Sequence, residues 1–242
     1  MAPLLSGSAF ITGAAQGIGW NTAKAFASHG IEKLALTDID NDVLTKAVKE
    51  LQEQYPKVKK TLEKVVEKFG RLDIAVNNAD VRGPINDTHE VSEEDWLNLI
   101  NINLNGVWRC QKEELGIFLK QEDRGLREGR GRIINVASMF GLFSPPRGLP
   151  HTAYTAAKHG VVGLTKADAV VYGKQKIRIN AVCPGVLAQG DATPLAPEVS
   201  RSSMGRPAEV EEIADAIAFL GSPLSSFVQG AAFVVHGGFT LT

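Results

Sequence analysis

Tyr154 and Lys158 are the pair of side chains in this sequence best suited to chemistry. Their four-residue spacing puts both on one face of a helix. A free phenol ionises near pKa ~10, too high for a good base at neutral pH. An ammonium close by favours the phenolate and draws that value down, so the pair can exchange a proton with a hydroxyl or carbonyl oxygen. Ser138, at the end of a predicted strand, is placed to hydrogen-bond the same oxygen. Tyr-x-x-x-Lys alone recurs by chance, and describes equally well an aromatic beside a surface cation. A second signal has to decide.

That signal is Thr12-Gly-Ala-Ala-Gln-Gly-Ile-Gly19, between a predicted strand and a predicted helix. A helix N-terminus offers unpaired N–H groups and the positive end of a dipole, which attract phosphate. In this reading Gly13 permits a tight turn, Gly17 lets the backbone approach a pyrophosphate, and Gly19 lets helix and sheet pack closely. The step from Gly13 to Gly17 is longer than in the common G-x-G-x-x-G, so a ligand-free turn stays possible on spacing alone. Asp38 follows at the end of the second predicted strand, where a carboxylate can bond both ribose hydroxyls of an adenosine. It would repel a 2′-phosphate, and Ile39 rather than arginine comes next, so NAD(H) is favoured over NADP(H). Asp38 could instead cap the helix beginning near Asp40.

The elements that must position these groups alternate along the chain. Apolar runs at 8–12, 33–37, 72–76, 132–136, 177–182 and 231–235 read as strands. Between them, helical stripes such as Leu44, Ala47, Val48, Leu51 recur at i, i+3, i+4, i+7. Ser92 with Asp95 suggests a capping box opening a helix to about residue 108, and another helix starts near Tyr154. Such alternation predicts an α/β fold, a Rossmann-like doubly wound parallel sheet in a single domain over residues 1–242. Length agrees: 242 residues can bury a full core without staples.

Composition narrows the class further. A net charge of −1 gives no reason to expect nucleic acid or an anionic membrane as partner. No apolar run approaches the ~18 residues of a membrane span, and the first ten residues lack a signal peptide's basic and apolar regions. The expectation is a cytoplasmic protein with reduced, buried thiols at Cys110 and Cys183 and no metal site.

Taken in order, Thr12 to Gly19, Asn77-Asn-Ala79, Asn103, Ser138, Tyr154 with Lys158, and Cys183-Pro-Gly185 resemble the short-chain dehydrogenase/reductase family over nearly the whole chain. The stretch from Ser138 to Tyr154 is similar to a fungal-type subgroup. The resemblance implies an oxidoreductase that moves hydride between NAD(H) and a secondary alcohol or ketone. Ser138 would orient substrate, Tyr154 act as acid and base, and Lys158 bind the nicotinamide ribose while tuning Tyr154. Asn103 would kink its helix and hold a water in a proton relay. Ile18, Asn78 and Leu187 would line the cofactor site. A homodimer or homotetramer is implied, joined by the helix from Tyr154 and the one before Gln121.

Departures from the family run through the same chain. Between residues 52 and 60 the sequence is basic, poor in β-branched residues and interrupted by Pro56, so the third, edge strand is expected to be missing or rudimentary. Its loss would leave the second strand a raw edge and remove part of the adenine pocket. Asp80 replaces a glycine, placing a carboxylate near the cofactor. Gln189 replaces a threonine, with Thr193 close by, and the lid over 193–206 looks shortened. The missing strand supports an alternative: a degenerate family member that serves as a binding or oligomer-forming module with weak or no turnover.

Overall fold

Strands and helices alternate to build one parallel sheet in a computed structural model that describes residues 3–61, 65–188 and 196–241. The strands β1 (Ser8–Thr12), β2 (Lys33–Thr37), β3 (Lys59–Thr61), β4 (Ile74–Asn77), β5 (Gly131–Val136), β6 (Ile177–Pro184) and β7 (Ala232–Val235) stand in the order β3-β2-β1-β4-β5-β6-β7. Every neighbouring pair is parallel. Strand order reverses direction beside β1, the switch point at which open α/β sheets bind ligands. The predicted doubly wound fold is therefore observed.

One face of the sheet is covered by α1 (Gly17–Ser28), α2 (Asn41–Gln54) and α8 (Val210–Gly221). Phe26, Leu51, Ile213 and Ile217 pack there against Ile11 and Leu36. The other face carries α5 (Val107–Phe118) and α6 (Thr152–Tyr172), whose Leu115, Phe118, Val161 and Val162 meet β5 and β6. Each such aliphatic or aromatic side chain, fully buried, contributes about 1.5–3 kcal/mol. With helices on both faces, β5 is buried at all six positions and has no polar alternation. The short helices α3 (Val65–Phe69) and α7 (Ala196–Arg201) complete the set, with α4 (Glu93–Ile100) leading into α5.

The third strand is rudimentary but present. Lys59, Lys60 and Thr61 pair with Lys33, Leu34 and Ala35, so β2 is not a raw edge along this stretch. Weak β-propensity is overridden because pairing satisfies backbone N–H and C=O groups beside an already buried strand. Pro56 lies ahead of the pairing and costs no ladder bond. The alternative of a non-catalytic module rested on the absence of this strand.

Other boundaries moved for local reasons. The fourth strand begins at Ile74, since the Leu72 N–H donates to the Gln121 side chain (2.8 Å). The Ser92 cap forms, accepting from the Asp95 N–H at 3.1 Å, but its helix runs past residue 108 through a π-helical turn at Asn101–Gly106 into α5. Cys183 is buried while Cys110 is only half-buried; both thiols are free, and burial pushes each up to about 11, which keeps them protonated.

Beneath the strand ends, a polar network joins the sheet to its helices. Asn77 donates to Glu114 and to Asn135 (both 3.0 Å), and Asn135 donates to Gln111 (2.7 Å) and Thr165 (2.9 Å). Burial raises the Glu114 carboxyl to about 8, opposed by its bond from Asn77. The folded state thus holds a proton that the unfolded chain releases above about 4.5. Stability is complete below that value and falls by a few kcal/mol as pH climbs to about 8. Glu114→Gln keeps an acceptor for Asn77 and removes the titration. Its melting temperature should stay level between pH 5 and pH 8 while the native protein loses several degrees; parallel losses would refute the assignment.

Candidate active site

At the carboxyl ends of β1, β2, β4 and β5 lies a cleft of about 730 Å³ that includes Gly17, Asp38, Asn78, Ser138, Tyr154 and Leu187 in its lining. Its floor is the glycine turn. Gly13 has φ +64°, and a Cβ there would stand 2.8 Å from the Ala79 Cα. A Cβ on Gly19 would collide with the Gly13 carbonyl, so turn and helix can approach only with glycine. Asn78 staples the turn from behind, donating through Nδ2 to the carbonyls of Thr12 and Gly13 (both 3.0 Å). The Thr12 hydroxyl accepts from the Asn78 and Ala79 N–H groups at 2.9 and 3.0 Å.

Helix α1 starts at Gly17 with no side-chain cap from Gln16 and no acidic residue in its first turn. Neither its cap nor its first turn thus offsets the positive end of the helix, which favours an anion there. Asp38 does not cap α2; Asp40 does, accepting from the Val43 N–H at 3.0 Å. Asp38 instead accepts from the Ala15 N–H (2.9 Å) and the Asp40 N–H (3.1 Å), fixing its carboxylate at the cleft while leaving lone pairs for further donors. Ile18 and Leu187 are half-buried apolar walls. The donors, the carboxylate and the volume fit a phosphate-bearing dinucleotide.

The chemical end of the cleft gathers around α6. Lys158 is 1% exposed, and its Nζ donates to the Val136 carbonyl at 3.0 Å. It lies 5.3 Å from the centroid of the Tyr154 ring, so the spacing places both groups together as expected. Buried Ser138 caps the turn Met139–Gly141 through the Phe140 N–H (3.1 Å). Asn103 lies fully buried within the π-helical turn. Its amide is engaged with Val81, accepting from the N–H (2.9 Å) and donating to the carbonyl (2.8 Å).

The Tyr154 phenol is pushed well above its ordinary value of 10, opposite to the direction that the ammonium alone would give. Burial is the main cause and the Asp80 carboxylate the second, with Ser138 acting in the opposite direction. Asp80 reaches both members of the pair: Oδ1 lies 3.2 Å from the Lys158 ammonium, and Oδ2 accepts from the Tyr154 hydroxyl at 3.3 Å. His151 was also missed. Its ring stacks on Tyr154 at 4.5 Å and 4°, held by a 2.6 Å bond between Nε2 and the Arg82 carbonyl. The three-residue step to Tyr154 at the helix start was the available signal for His151.

Gln189 and Thr193 lie outside the described residues. A larger groove of about 1090 Å³, with Phe10, Leu72, Cys110 and Glu114 among its walls, contains none of the predicted site residues. Among the described residues no group of three His, Cys, Asp or Glu is arranged to hold a metal, and no helix is long and apolar enough to cross a membrane.

Residues 13–240 match a family described as Enoyl-(Acyl carrier protein) reductase. The chain is 37% identical over 252 residues to a cyclohexanol dehydrogenase of Acinetobacter sp. (strain SE19), covering 96% of this chain and 94% of that one. A carveol dehydrogenase from Mycobacterium avium, solved in complex with NAD, superposes with a TM-score of 0.86 at 27% identity over 100% of both chains. A protein from Agrobacterium tumefaciens with bound NADP gives 0.83 at 26% identity, covering 98% of this chain and 97% of that one. With that match across nearly the whole chain, it belongs to the short-chain dehydrogenase/reductase family, as an oxidoreductase acting on CH–OH groups.

Proposed function

We propose that this protein interconverts a secondary alcohol and its ketone, with Tyr154 as general acid and base and NAD(H) preferred over NADP(H). The observation that carries the reading is the Tyr154 hydroxyl, one helical turn from the Lys158 ammonium and at the end of a dinucleotide-shaped cleft. A nicotinamide cofactor, when bound, supplies or accepts the hydride. The backbone from Gly13 to Gly19 and the start of α1 hold its phosphates, Asp38 its adenosine ribose, and Ile18, Asn78 and Leu187 its flanks. Lys158 binds the nicotinamide ribose.

In the reductive direction Tyr154 gives its proton to the carbonyl oxygen, which Ser138 orients; in the oxidative direction the phenolate takes it back. Asn103 fixes the backbone at Val81, a residue of the same cleft. Next to Tyr154, Met139, Phe140, Phe143, Leu149, Val186 and Phe239 pack together. An apolar wall of that kind favours an alicyclic or otherwise apolar substrate over a polyol. The exposed Trp108 on α5 and Val170 and Val171 on α6 support homo-oligomer formation through these helices.

Two substitutions separate the roles. Tyr154→Phe should lower turnover at least ~10²-fold while NADH affinity, followed by fluorescence titration, is kept; undiminished turnover would remove Tyr154 from the chemistry. Asp38→Ala should weaken NADH binding by roughly 10–100-fold, the loss of charge-assisted hydrogen bonds, and narrow the gap to NADPH. An unchanged NADH to NADPH ratio would show that Asp38 does not select the cofactor.

A further inference from the structure

Asp80 follows the last residue that staples the glycine turn, and its carboxylate lies between the two groups on which the proposed chemistry depends. Side-chain exposure is 32% for Asp80 against 2% for Lys158, so the acid faces the cleft while the ammonium is enclosed. The phenol donates its hydroxyl proton to Asp80 Oδ2, and the ammonium lies against Oδ1. The charged and titratable groups around Tyr154 are Asp80 and Arg82 after β4, Lys158 on α6 and His151 just before it, with the Ser138 hydroxyl after β5. Asp80 is the one anion among them.

We propose that Asp80 is a positioning residue that clamps Tyr154 and Lys158, competing with the substrate oxygen for the phenol proton and with the cofactor ribose for the ammonium. This rests on the function proposed above and adds a regulation of the same site. An anion close to the phenol disfavours a second negative charge there, and it cancels the attraction that the ammonium would otherwise exert on a phenolate. Tyr154 is therefore kept as the acid. Reduction uses this form directly: the proton passes from the phenol oxygen to the carbonyl oxygen, and the phenolate left behind regains a proton from water. Alcohol oxidation needs the phenolate first, so its rate follows the small fraction ionised and climbs with pH. The Val136 carbonyl and Asp80 take two of the three ammonium N–H donors, which leaves one for the two hydroxyls of a ribose, so ribose binding competes with the clamp. The raised phenol agrees with this geometry.

The test uses Asp80→Asn, which keeps size and hydrogen bonding, and Asp80→Gly, which removes the side chain. The ionisation of Tyr154 is read as the tyrosinate absorbance that wild type has and Tyr154→Phe lacks, with and without each Asp80 substitution. Both variants should form tyrosinate at lower pH, and the rising limb of alcohol oxidation should move down with it, giving at most about tenfold more rate at pH 7 for each pH unit of movement. NADH should bind more tightly to both. An unmoved Tyr154 absorbance titration in both variants overturns the proposal, whatever the activity. A moved titration that leaves the pH profile of alcohol oxidation unchanged would uphold the clamp and sink the proposed role of Tyr154 as acid and base instead.

Discussion

The buried ammonium of Lys158 is the constraint around which the cleft is organised. A cation enclosed by protein must be given oxygen partners, because losing its hydration costs several kcal/mol. Two are present, the Val136 carbonyl at the end of β5 and the Asp80 carboxylate beyond β4. One side chain on α6 thereby ties together the ends of two neighbouring strands. Tyr154 inherits its place from this tie, one turn earlier on the same helix and pressed between Asp80 and the His151 ring. What the sheet contributes is convergence. Parallel strands bring their carboxyl ends to one edge, and the change of direction beside β1 opens the space into which these groups point.

The nucleotide half of the cleft follows a different logic, in which backbone matters more than side chains. Gly13 and Gly19 bring the turn against the Asn78-to-Ala79 segment, so no Cβ intervenes between turn, helix and strand end. Asn78 and Thr12 then lock that approach with four hydrogen bonds. Asp38 takes part in this lock through the Ala15 N–H, which couples its carboxylate to the glycine turn. The two halves meet at residues 78–80, where a staple of the turn and a clamp of the tyrosine are two residues apart.

Much of this was legible because its determinants are local. Strand–turn–helix patterning placed the glycine turn, and helical periodicity put Tyr154 and Lys158 on one face. The order of apolar runs foretold a parallel sheet. Long-range contacts were not legible. Asp80 could be read as a carboxylate near the cofactor, but its partners lie 74 and 78 residues away, and nothing in spacing announces them. Burial, with that same contact second, holds the Tyr154 phenol above its ordinary value. The three residues of β3 were hidden for a related reason: pairing with a neighbour, not intrinsic preference, makes them a strand. Asn103 is a similar case, since the residue it grips, Val81, lies 22 positions away.

Fold alone would host many activities, so the functional account stands on this one cleft. The measurement that bears on it most directly is a crystal structure of the protein grown with NADH. The account predicts the pyrophosphate at the N-terminus of α1, the adenosine ribose on Asp38, and the nicotinamide beside Tyr154. A cofactor lodged in the groove beside Cys110 and Glu114, or a cleft without cofactor at saturating NADH, would contradict it.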